Sequence, residues 1–314
     1  MLKDQKILIT GPAGQIAFPL AKALARDNEV WGIARFSKGG GREECEAAGI
    51  KTRMVDLAVA DFSEIPDDFA YVLHLAAYIA PGEDYDGALR VNAEGTGLLL
   101  THCRKAKAAL VMTTTGVYRP NPDPWHPYLE TDPLGDANVP SAPTYSVTKI
   151  AEEAVARLCA RQLNLPVVIT RMNAAYGPVG SANGSGGLPG YHCDAVLGDQ
   201  TITFRSDPNP YSPIHERDIF NQVEALLNAA AAPATIVNWG GDQPVSAQQW
   251  CNYFAELNGT KAKLAVHQIP HTQSGVVNDN SKRLSITGPC QVDWRDGMKE
   301  TFLARQKRFA AAAS

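Results

Sequence analysis

The sequence predicts an α/β fold, a doubly wound parallel sheet with a smaller, interleaved C-terminal domain. Short apolar segments alternate with segments of helical periodicity between residues 6 and 170. The apolar segments are continuous, as in parallel strands that are covered on both faces. After residue 171 the chain becomes richer in glycine and proline, which indicates a change of architecture there.

Each element is predicted from its own pattern. Short, mostly apolar runs predict strands at 6–10, 29–34, 52–55, 71–76, 108–113, 167–170 and 235–239. Apolar residues that recur every three or four positions predict helices at 15–26, 92–106, 146–163, 218–230 and 246–257. Turn-forming residues predict loops at 180–190 and 206–213, and the alanine-rich end after Phe309 predicts a frayed tail.

Length and composition exclude several classes of protein. The 314 residues are 45% hydrophobic and 20% charged, which suits a globular protein of one or two domains. We predict one domain from residues 1–170 and 214–240 and a second from residues 171–213 and 241–314. The net charge of -4 gives no basic field for nucleic acid, and no apolar run is long enough to predict a membrane span. The six cysteines form no CxxC pair, so we expect reduced thiols, no metal site and a cytoplasmic location.

A glycine turn joins the first strand to the first helix. Gly11 permits the turn, and Gly14 allows the backbone to approach a pyrophosphate at the helix N-terminus. Ala17 stands where a third glycine is common, and it is small enough for close packing of helix on strand. The pattern predicts a dinucleotide site, although a strand-to-helix turn without a ligand has the same composition.

The second and third strands end in residues that bear on the choice of cofactor. The second ends at Arg35 instead of an acidic residue, so Arg35, with Ser37 and Lys38, is a candidate partner for a 2′-phosphate. This predicts NADP, with NAD as the alternative if Arg35 is only a solvated surface residue. Asp56 is a candidate acceptor for an adenine amine or a helix cap. His74 is predicted to pack in the core.

Tyr145 and Lys149 are the strongest chemical signal. Their i, i+4 spacing places both side chains on one helix face. A nearby ammonium favours the phenolate of a tyrosine, whose ordinary pKa is near 10, and so prepares it for proton transfer. Thr113, Thr114 and Thr115 follow the fifth strand at its carboxyl end, where parallel sheets bind ligands.

Taken in order, these segments resemble the extended short-chain dehydrogenase/reductase superfamily, including its NAD-dependent epimerase/dehydratase group. The resemblance covers residues 7 to about 245 and is carried by TGPAGQIA, HLAA, NAEGTG, TTTGVY, YSVTK, RMNAAYGP and PIHERD. It implies a Rossmann-type cofactor domain, a variable substrate domain and a homodimer formed through a four-helix contact that includes the Tyr145 helix. It also implies the roles of individual residues. The catalytic set is Thr114, Tyr145, Lys149 and Asn92. The cofactor set is Gly11, Gly14, Gln15, Ile16, Arg35, Asp56, Leu57, Leu75, Ala76, Ala77, Tyr145 and Lys149.

The implied reaction is hydride transfer between a nicotinamide and a substrate carbon, with Tyr145 moving the proton on oxygen. Two departures from the resembled family select among its branches. Thr115-Gly116 stands where the sugar-nucleotide dehydratases have Asp-Glu, which argues against dehydration. Tyr211 stands where the epimerases have an arginine for the substrate diphosphate, which argues against a nucleotide sugar.

We therefore predict an NADP(H)-dependent oxidoreductase acting on a carbonyl or secondary alcohol. The alternatives are a nucleotide-sugar epimerase with tightly bound NAD and a non-catalytic NADP-binding sensor. The predicted substrate-binding residues are Thr115, Tyr176, Tyr191 and Tyr211. The 180–190 loop either closes over the substrate or only connects two elements, and Trp125 either lines the pocket or covers the core.

Overall fold

A computed structural model describes residues 2–37, 39–137, 140–182, 184, 186–269, 272–273 and 275–313. The strands among these residues are β1 (Lys6–Thr10), β2 (Glu29–Ala34), β3 (Lys51–Met54), β4 (Tyr71–His74), β5 (Ala108–Thr114), β6 (Pro127–Tyr128), β7 (Val167–Met172), β8 (Ala175–Tyr176), β9 (Thr201–Phe204), β10 (Pro210–Tyr211), β11 (Ile214–His215), β12 (Thr235–Trp239), β13 (Val245–Ser246), β14 (Lys263–Val266) and β15 (Val277–Asn278).

The α-helices among these residues are α1 (Ala17–Leu24), α2 (Gly41–Ala47), α3 (Tyr85–Leu89), α4 (Gly95–His102), α5 (Tyr145–Leu163), α6 (Gly187–Leu197), α7 (Glu216–Asn228), α8 (Ala247–Leu257), α9 (Ser281–Thr287) and α10 (Trp294–Ala313). A π-helical turn, Arg90–Glu94, joins α3 to α4, and a 3₁₀ turn, Thr115–Val117, follows β5. No helix among the described residues is both long and apolar enough to cross a membrane.

Seven parallel strands form the central sheet, in the order β3-β2-β1-β4-β5-β7-β12. The strand order reverses between β1 and β4. In doubly wound sheets, the crevice at such a reversal is where ligands bind, at the carboxyl ends of the strands. The predicted Rossmann-type fold is confirmed, and the seven predicted strands are the seven strands of this sheet.

Both faces of the sheet are buried, as the continuous apolar strands predict. Along β1, Ile7 and Ile9 belong to the core cluster that includes residues of α1 and α7. Leu8, which points to the opposite face, belongs to the cluster that includes residues of α4 and α5. The helix that carries Tyr145 is therefore fixed on one face of the sheet, and the helix after the glycine turn is fixed on the other.

The segment after β7 builds a further apolar core away from the sheet. Its buried members come from α6, α8, α10 and the short strands around them, and they include Trp250, Phe254 and Phe302. The two-stranded sheets β9–β14 and β10–β13 border this core. Because β12 returns to the central sheet from within this part of the chain, the two regions interleave.

Several predicted boundaries are wrong. The loop predicted at 180–190 includes the first turn of α6, which begins at Gly187, and the loop predicted at 206–213 includes β10. The alanine-rich end is not a frayed tail, because α10 continues to Ala313, and alanine has the highest helix propensity. The helix predicted at 92–106 begins earlier, as α3, and changes to a π turn before α4.

Candidate active site

The glycine turn forms the floor of a cleft at the reversal of the sheet order. Gly11 has a φ of +65°, and its N–H donates to the carbonyl of Ile33 at 2.9 Å. A Cβ atom on Gly11 would lie 3.2 Å from the Cα atom of Ala76, so a side chain there would crowd the neighbouring strand. No side chain caps the N-terminus of α1. The amide groups at that terminus therefore suit an anion such as a pyrophosphate.

This cavity, the glycine-turn cleft, collects most of the residues that the sequence assigns to a cofactor. The predicted residues that line it are Gly11, Gly14, Gln15, Ile16, Arg35, Asp56, Leu57, Leu75, Ala76, Ala77 and Tyr145. Met112 and Ser181, which the sequence did not assign to a cofactor, line it as well. Lys149 does not belong to this lining and lies beneath it. The predicted lining residues alone come from five separate segments of the chain.

Two polar side chains mark the end of the cleft beside β2 and β3. Arg35 is exposed and forms no ion pair with any described residue, and Ser37 lines the cleft nearby. Lys38, the third residue of the predicted phosphate group, lies outside the described residues. Asp56 accepts a hydrogen bond from the N–H of Ala58 at 2.9 Å through Oδ1, so this carboxylate also stabilises a local turn.

His74 is part of a buried hydrogen-bonded chain behind the cleft. Thr10 Oγ1 accepts from the N–H groups of Leu75 and Ala76, at 3.0 and 2.9 Å, and lies 2.8 Å from His74 Nδ1. His74 Nε2 is 2.7 Å from Thr96 Oγ1. Burial and, to a smaller extent, the charge of Lys149 lower the pKa of His74 to about 3. His74 is therefore neutral, and Thr10 fixes the strand end that forms the cleft wall.

Tyr145 is the first residue of α5, and its partly exposed side chain reaches the glycine-turn cleft. Burial raises the pKa of its phenol. The Lys149 ammonium and a hydrogen bond with Thr114 lower this pKa, whereas the Glu152 carboxylate raises it. Lys149 and Thr114 thus favour the phenolate, but burial outweighs them, and the pKa of the phenol lies above its ordinary value.

Lys149 is held from two sides. Its Nζ donates to the carbonyl of Met112 at 3.0 Å and lies 2.6 Å from Oε2 of Glu152. Only 1% of the side chain is exposed. An ammonium has three N–H groups, so one remains for the phenol of Tyr145 or a molecule in the cleft. Glu152 was not predicted as a site residue, since a glutamate three residues after a lysine is typical of an exposed helical ion pair.

Asn92 and the threonines after β5 hold the surroundings of Tyr145. Asn92, in the π-helical turn, accepts from the N–H of Tyr78 at 2.7 Å and donates to Thr148 Oγ1 at 2.9 Å, so it joins the segment after β4 to α5. Thr114 Oγ1 accepts from the N–H of Gly116 at 3.0 Å. Thr115 is buried and directed toward the carbonyl of Met172, so it has no position in the cleft lining.

The three tyrosines predicted to bind substrate belong to elements that follow β7. Tyr176 is buried, with its ring edge against His215 at 5.3 Å between centroids. Tyr211 packs against Trp250 at 5.6 Å, on the side of the C-terminal core. Tyr191 is 63% exposed on α6. None of the three is among the described residues that line the glycine-turn cleft. Their positions could not be predicted, because the sequence gives no distances between the C-terminal segments and the sheet.

The 180–190 segment lies over the glycine turn. The N–H of Ala182 donates to the carbonyl of Ala13 at 3.1 Å, and Ser181 lines the cleft. Arg308, on α10, donates to the carbonyl of Val179 at 2.9 Å, and Arg305 donates to the carbonyl of Gly184 at 3.1 Å. The C-terminal helix thus holds this segment against the cleft.

Comparison with known proteins places these features in a family. The sequence profile of the NAD dependent epimerase/dehydratase family matches residues 7–240. A dTDP-4-dehydrorhamnose reductase of Burkholderia thailandensis is 33% identical over 151 residues, which are 47% of this chain and 44% of that protein. A trifunctional UDP-glucose 4,6-dehydratase, UDP-4-keto-6-deoxy-D-glucose 3,5-epimerase and UDP-4-keto-L-rhamnose reductase of Arabidopsis thaliana is 28% identical over 95% of this chain and 47% of its own length.

The chain spans about half the length of these curated relatives. Among solved structures, UDP-glucuronic acid 4-epimerase from Bacillus cereus, in complex with UDP-glucuronic acid and NAD, superposes with a TM-score of 0.80. That similarity covers 96% of this chain and 99% of the other at 22% identity, and it shows a shared fold. With the family profile matching most of the chain, from the glycine turn to the end of the sheet, the protein belongs to the NAD dependent epimerase/dehydratase family, within the extended short-chain dehydrogenases/reductases.

Proposed function

We propose that the protein is an NADP(H)-dependent oxidoreductase that transfers hydride between the nicotinamide and a carbonyl or secondary alcohol. The main support is that Tyr145, which interacts with Lys149 and Thr114, lines the same cleft as the glycine turn. Gly11 has no side chain to crowd the turn, and no side chain caps the N-terminus of α1. Both features suit the binding of a dinucleotide's diphosphate there. When bound, the cofactor supplies or accepts the hydride.

The residues of this chain supply the proton and the orientation. In the reducing direction, Tyr145 donates its proton to the oxygen that becomes a hydroxyl. Thr114, which shares a hydrogen bond with Tyr145, orients that oxygen. Lys149 stabilises the resulting phenolate, and Asn92 keeps the segment after β4 against α5. In the oxidising direction the same groups act in reverse.

The test is a panel of carbonyl compounds assayed with NADPH and with NADH. We expect net oxidation of NADPH, followed by its absorbance. The alternative is a nucleotide-sugar epimerase with tightly bound NAD, favoured by the names of solved relatives such as the Bacillus cereus enzyme. Inversion of a UDP-sugar with no net change in cofactor would select that alternative, and cofactor binding with neither activity would select a sensor.

One feature argues against the nucleotide-sugar alternative. Tyr211 occupies the position that in the epimerases holds an arginine for the substrate diphosphate, and its ring packs against Trp250. A phenol cannot form the charge-assisted, bidentate bonds that a guanidinium forms with phosphate. We therefore propose a substrate without a diphosphate.

Arg35 is proposed to select NADP. A guanidinium bound to a 2′-phosphate contributes about 1.5–3 kcal/mol, so Arg35→Ala should weaken NADPH binding by roughly 10- to 150-fold and leave NADH binding nearly unchanged. Quenching of protein fluorescence by each cofactor measures both affinities. Arg26→Ala is the matched control. It removes an exposed arginine just after the C-terminus of α1, whereas the cleft lies at the N-terminus of that helix. Equal losses for both cofactors, or tighter binding of NADH by the wild type, would contradict the assignment.

We also propose a homodimer that pairs α4 and α5 of two copies. Leu98 on α4 and Val147 and Leu158 on α5 are about half exposed, at 51%, 49% and 52%. Helices α4 and α5 are adjacent, so these side chains provide apolar surface for a four-helix contact. Light scattering should give twice the chain mass of 33.8 kDa, and Leu158→Lys should give the mass of one chain. A monomeric wild type would contradict the dimer.

We further propose that the chain has two domains. The central sheet supports a cofactor domain of residues 1–170 and 214–240, and the separate core around Trp250 supports a substrate domain of residues 171–213 and 241–314.

We also propose a cytoplasmic location. The six cysteines are free thiols, which is typical of proteins in a reducing compartment.

A further inference from the structure

A buried carboxylate lies directly against the ammonium that is proposed to act with Tyr145. Glu152 Oε2 is 2.6 Å from Lys149 Nζ, and the Glu152 side chain has no exposed surface. Its other oxygen, Oε1, is 3.6 Å from Nε2 of His74 and accepts no hydrogen bond from the described residues. A charge buried this deeply is costly unless it is paired, so its presence requires an explanation.

His74 does not compensate the charge of Glu152. Thr10 Oγ1 already accepts from two backbone N–H groups, so its own hydrogen is directed to His74 Nδ1. The ring therefore carries its hydrogen on Nε2, which faces Thr96 Oγ1 at 2.7 Å. Thr96 in turn donates to the carbonyl of Asn92 at 2.7 Å. The imidazole is neutral in this chain of hydrogen bonds.

The next carboxylate on α5 is also committed elsewhere. Glu153 accepts two hydrogen bonds from Arg171, each 2.8 Å long, so these two charges neutralise each other. The groups that face Glu152 from α5 are therefore Lys149 and the already paired Glu153, and from β4 the neutral His74. Lys149 is the cation with which Glu152 interacts.

We propose that Glu152 is a positioning residue of the catalytic centre. It holds the Lys149 ammonium against the carbonyl of Met112 and offsets its charge, so that Tyr145 keeps its proton to higher pH, in the form that reduction of a carbonyl requires. The proposal rests on the Tyr145–Lys149 chemistry proposed above and adds the direction for which that chemistry is prepared. Glu152 acts through Lys149 and does not reach the cleft.

Electrostatics gives the physical reason. Two opposite charges 2.6 Å apart act at a distance as a dipole, so the pair attracts a phenolate less strongly than a lone ammonium does. The carboxylate of Glu152 accordingly raises the pKa of Tyr145, against the effect of Lys149. Reduction needs the protonated phenol as acid, and oxidation needs the phenolate as base.

Glu152 also responds to pH itself. Burial raises the pKa of its carboxyl to about 7, although Lys149 acts in the opposite direction. Below this pH the carboxyl takes up a proton and no longer offsets the charge of Lys149. Above it, the pair is formed and Tyr145 retains its proton to higher pH.

The test is a direct titration of the Tyr145 phenol in the full chain. Ten tyrosines absorb, so the near-ultraviolet phenolate absorbance of each protein is corrected by subtracting that of its own Tyr145→Phe counterpart. Glu152→Gln keeps the size of the side chain and removes its charge. We expect the Tyr145 midpoint to fall by about one pH unit or more, a tenfold change in the phenolate-to-phenol ratio.

Two further variants keep the test decisive. Glu152→Met, which has similar length and no charge, should give the same acid shift and replaces Glu152→Gln if that variant does not fold. Glu94→Gln, the control, removes an exposed carboxylate from the π-helical turn that packs on α5 and should leave the midpoint within a few tenths of a unit. An unchanged or alkaline-shifted midpoint in the Glu152 variants, or an equal shift in Glu94→Gln, would overturn the proposal.

The titration needs no substrate. If the carbonyl panel gives no turnover but the midpoint shifts as expected, the proposed reaction fails and the role of Glu152 stands. If NADPH is oxidised but the midpoint does not move, the reaction stands and the role of Glu152 fails.

Discussion

Tyr145→Phe should lower kcat by roughly 10²- to 10⁴-fold, the range that a positioned acid or base contributes. Only the hydroxyl is removed, so the ring still fills its place at the start of α5 and at the wall of the glycine-turn cleft. The measurement is NADPH oxidation with the best carbonyl of the panel. Cofactor affinity should change by less than about tenfold, because at most one neutral hydrogen bond is lost.

The control removes the hydroxyl of another tyrosine. Tyr253, on α8, packs its ring edge-on against Trp294 at 5.7 Å between centroids, and it is not among the residues that line the cleft. Tyr253→Phe should leave kcat within about twofold, as expected for a substitution away from the site. Turnover of Tyr145→Phe near that of the wild type would remove Tyr145 from the mechanism. Equal losses in both variants would point to a general effect on folding.

The sheet could be predicted because its physical signal is local. A strand covered on both faces needs consecutive apolar residues, and β5 (AALVMTT) shows this directly in the sequence. The glycine turn was equally visible, since the positive φ of Gly11 restricts the residue type at that position. These signals were sufficient to place the seven strands along the chain and to predict a parallel sheet with ligands at the carboxyl ends of its strands; the order of the strands within the sheet was not predicted.

The C-terminal helix shows where local signals stop. In α10, Met298 and Phe302 are buried in the C-terminal core, but glycine and several charged residues stand beside them. The helix is stabilised by packing against α6 and α8, which are distant in sequence. The contacts of Arg305 and Arg308 with the segment over the cleft could not be inferred for the same reason.

The candidate site likewise contains residues that a local sequence pattern reveals and residues that it does not. Tyr145 and Lys149 are related by helical spacing, which a sequence displays, and the cleft contains Tyr145 together with ten of the residues predicted to bind cofactor. Glu152 was missed because its burial depends on β4 and on the π-helical turn, which pack over α5. The positions of the tyrosines predicted to bind substrate depend on how the C-terminal segments meet the sheet, which no local pattern encodes.

The largest effect on stability is expected at Arg171, which fastens α5 to the sheet. Its guanidinium donates two hydrogen bonds to Glu153, each 2.8 Å long, and one to the hydroxyl of Tyr118 at 3.0 Å. Glu153 also accepts from Thr113 Oγ1 at 2.9 Å. Arg171 and Glu153 are buried, at 2% and 3% exposed. This network joins β5, β7 and the helix that begins at Tyr145.

Arg171→Met should reduce the free energy of unfolding by about 3–5 kcal/mol, because it leaves Glu153 as an uncompensated buried charge. Urea denaturation followed by circular dichroism measures the change. As a control, Lys263→Met breaks an exposed ion pair with Asp199 and should cost less than about 1 kcal/mol. A loss as small as this at Arg171 would show that the buried pair is not what holds α5 in place.

The double variant Arg171→Met/Glu153→Leu separates the two parts of this cost. Much of the loss in the single variant comes from the carboxylate left alone, since a buried ion pair gains little over apolar residues of similar size. Removing both charges should therefore restore a large part of the stability lost in Arg171→Met. If the double variant is less stable than the single one, the hydrogen bonds to Thr113 and Tyr118 contribute more than the charges do. If stability returns and α5 is held correctly, the Tyr145 phenol should titrate at its wild-type midpoint, because the Lys149–Glu152 pair is unchanged.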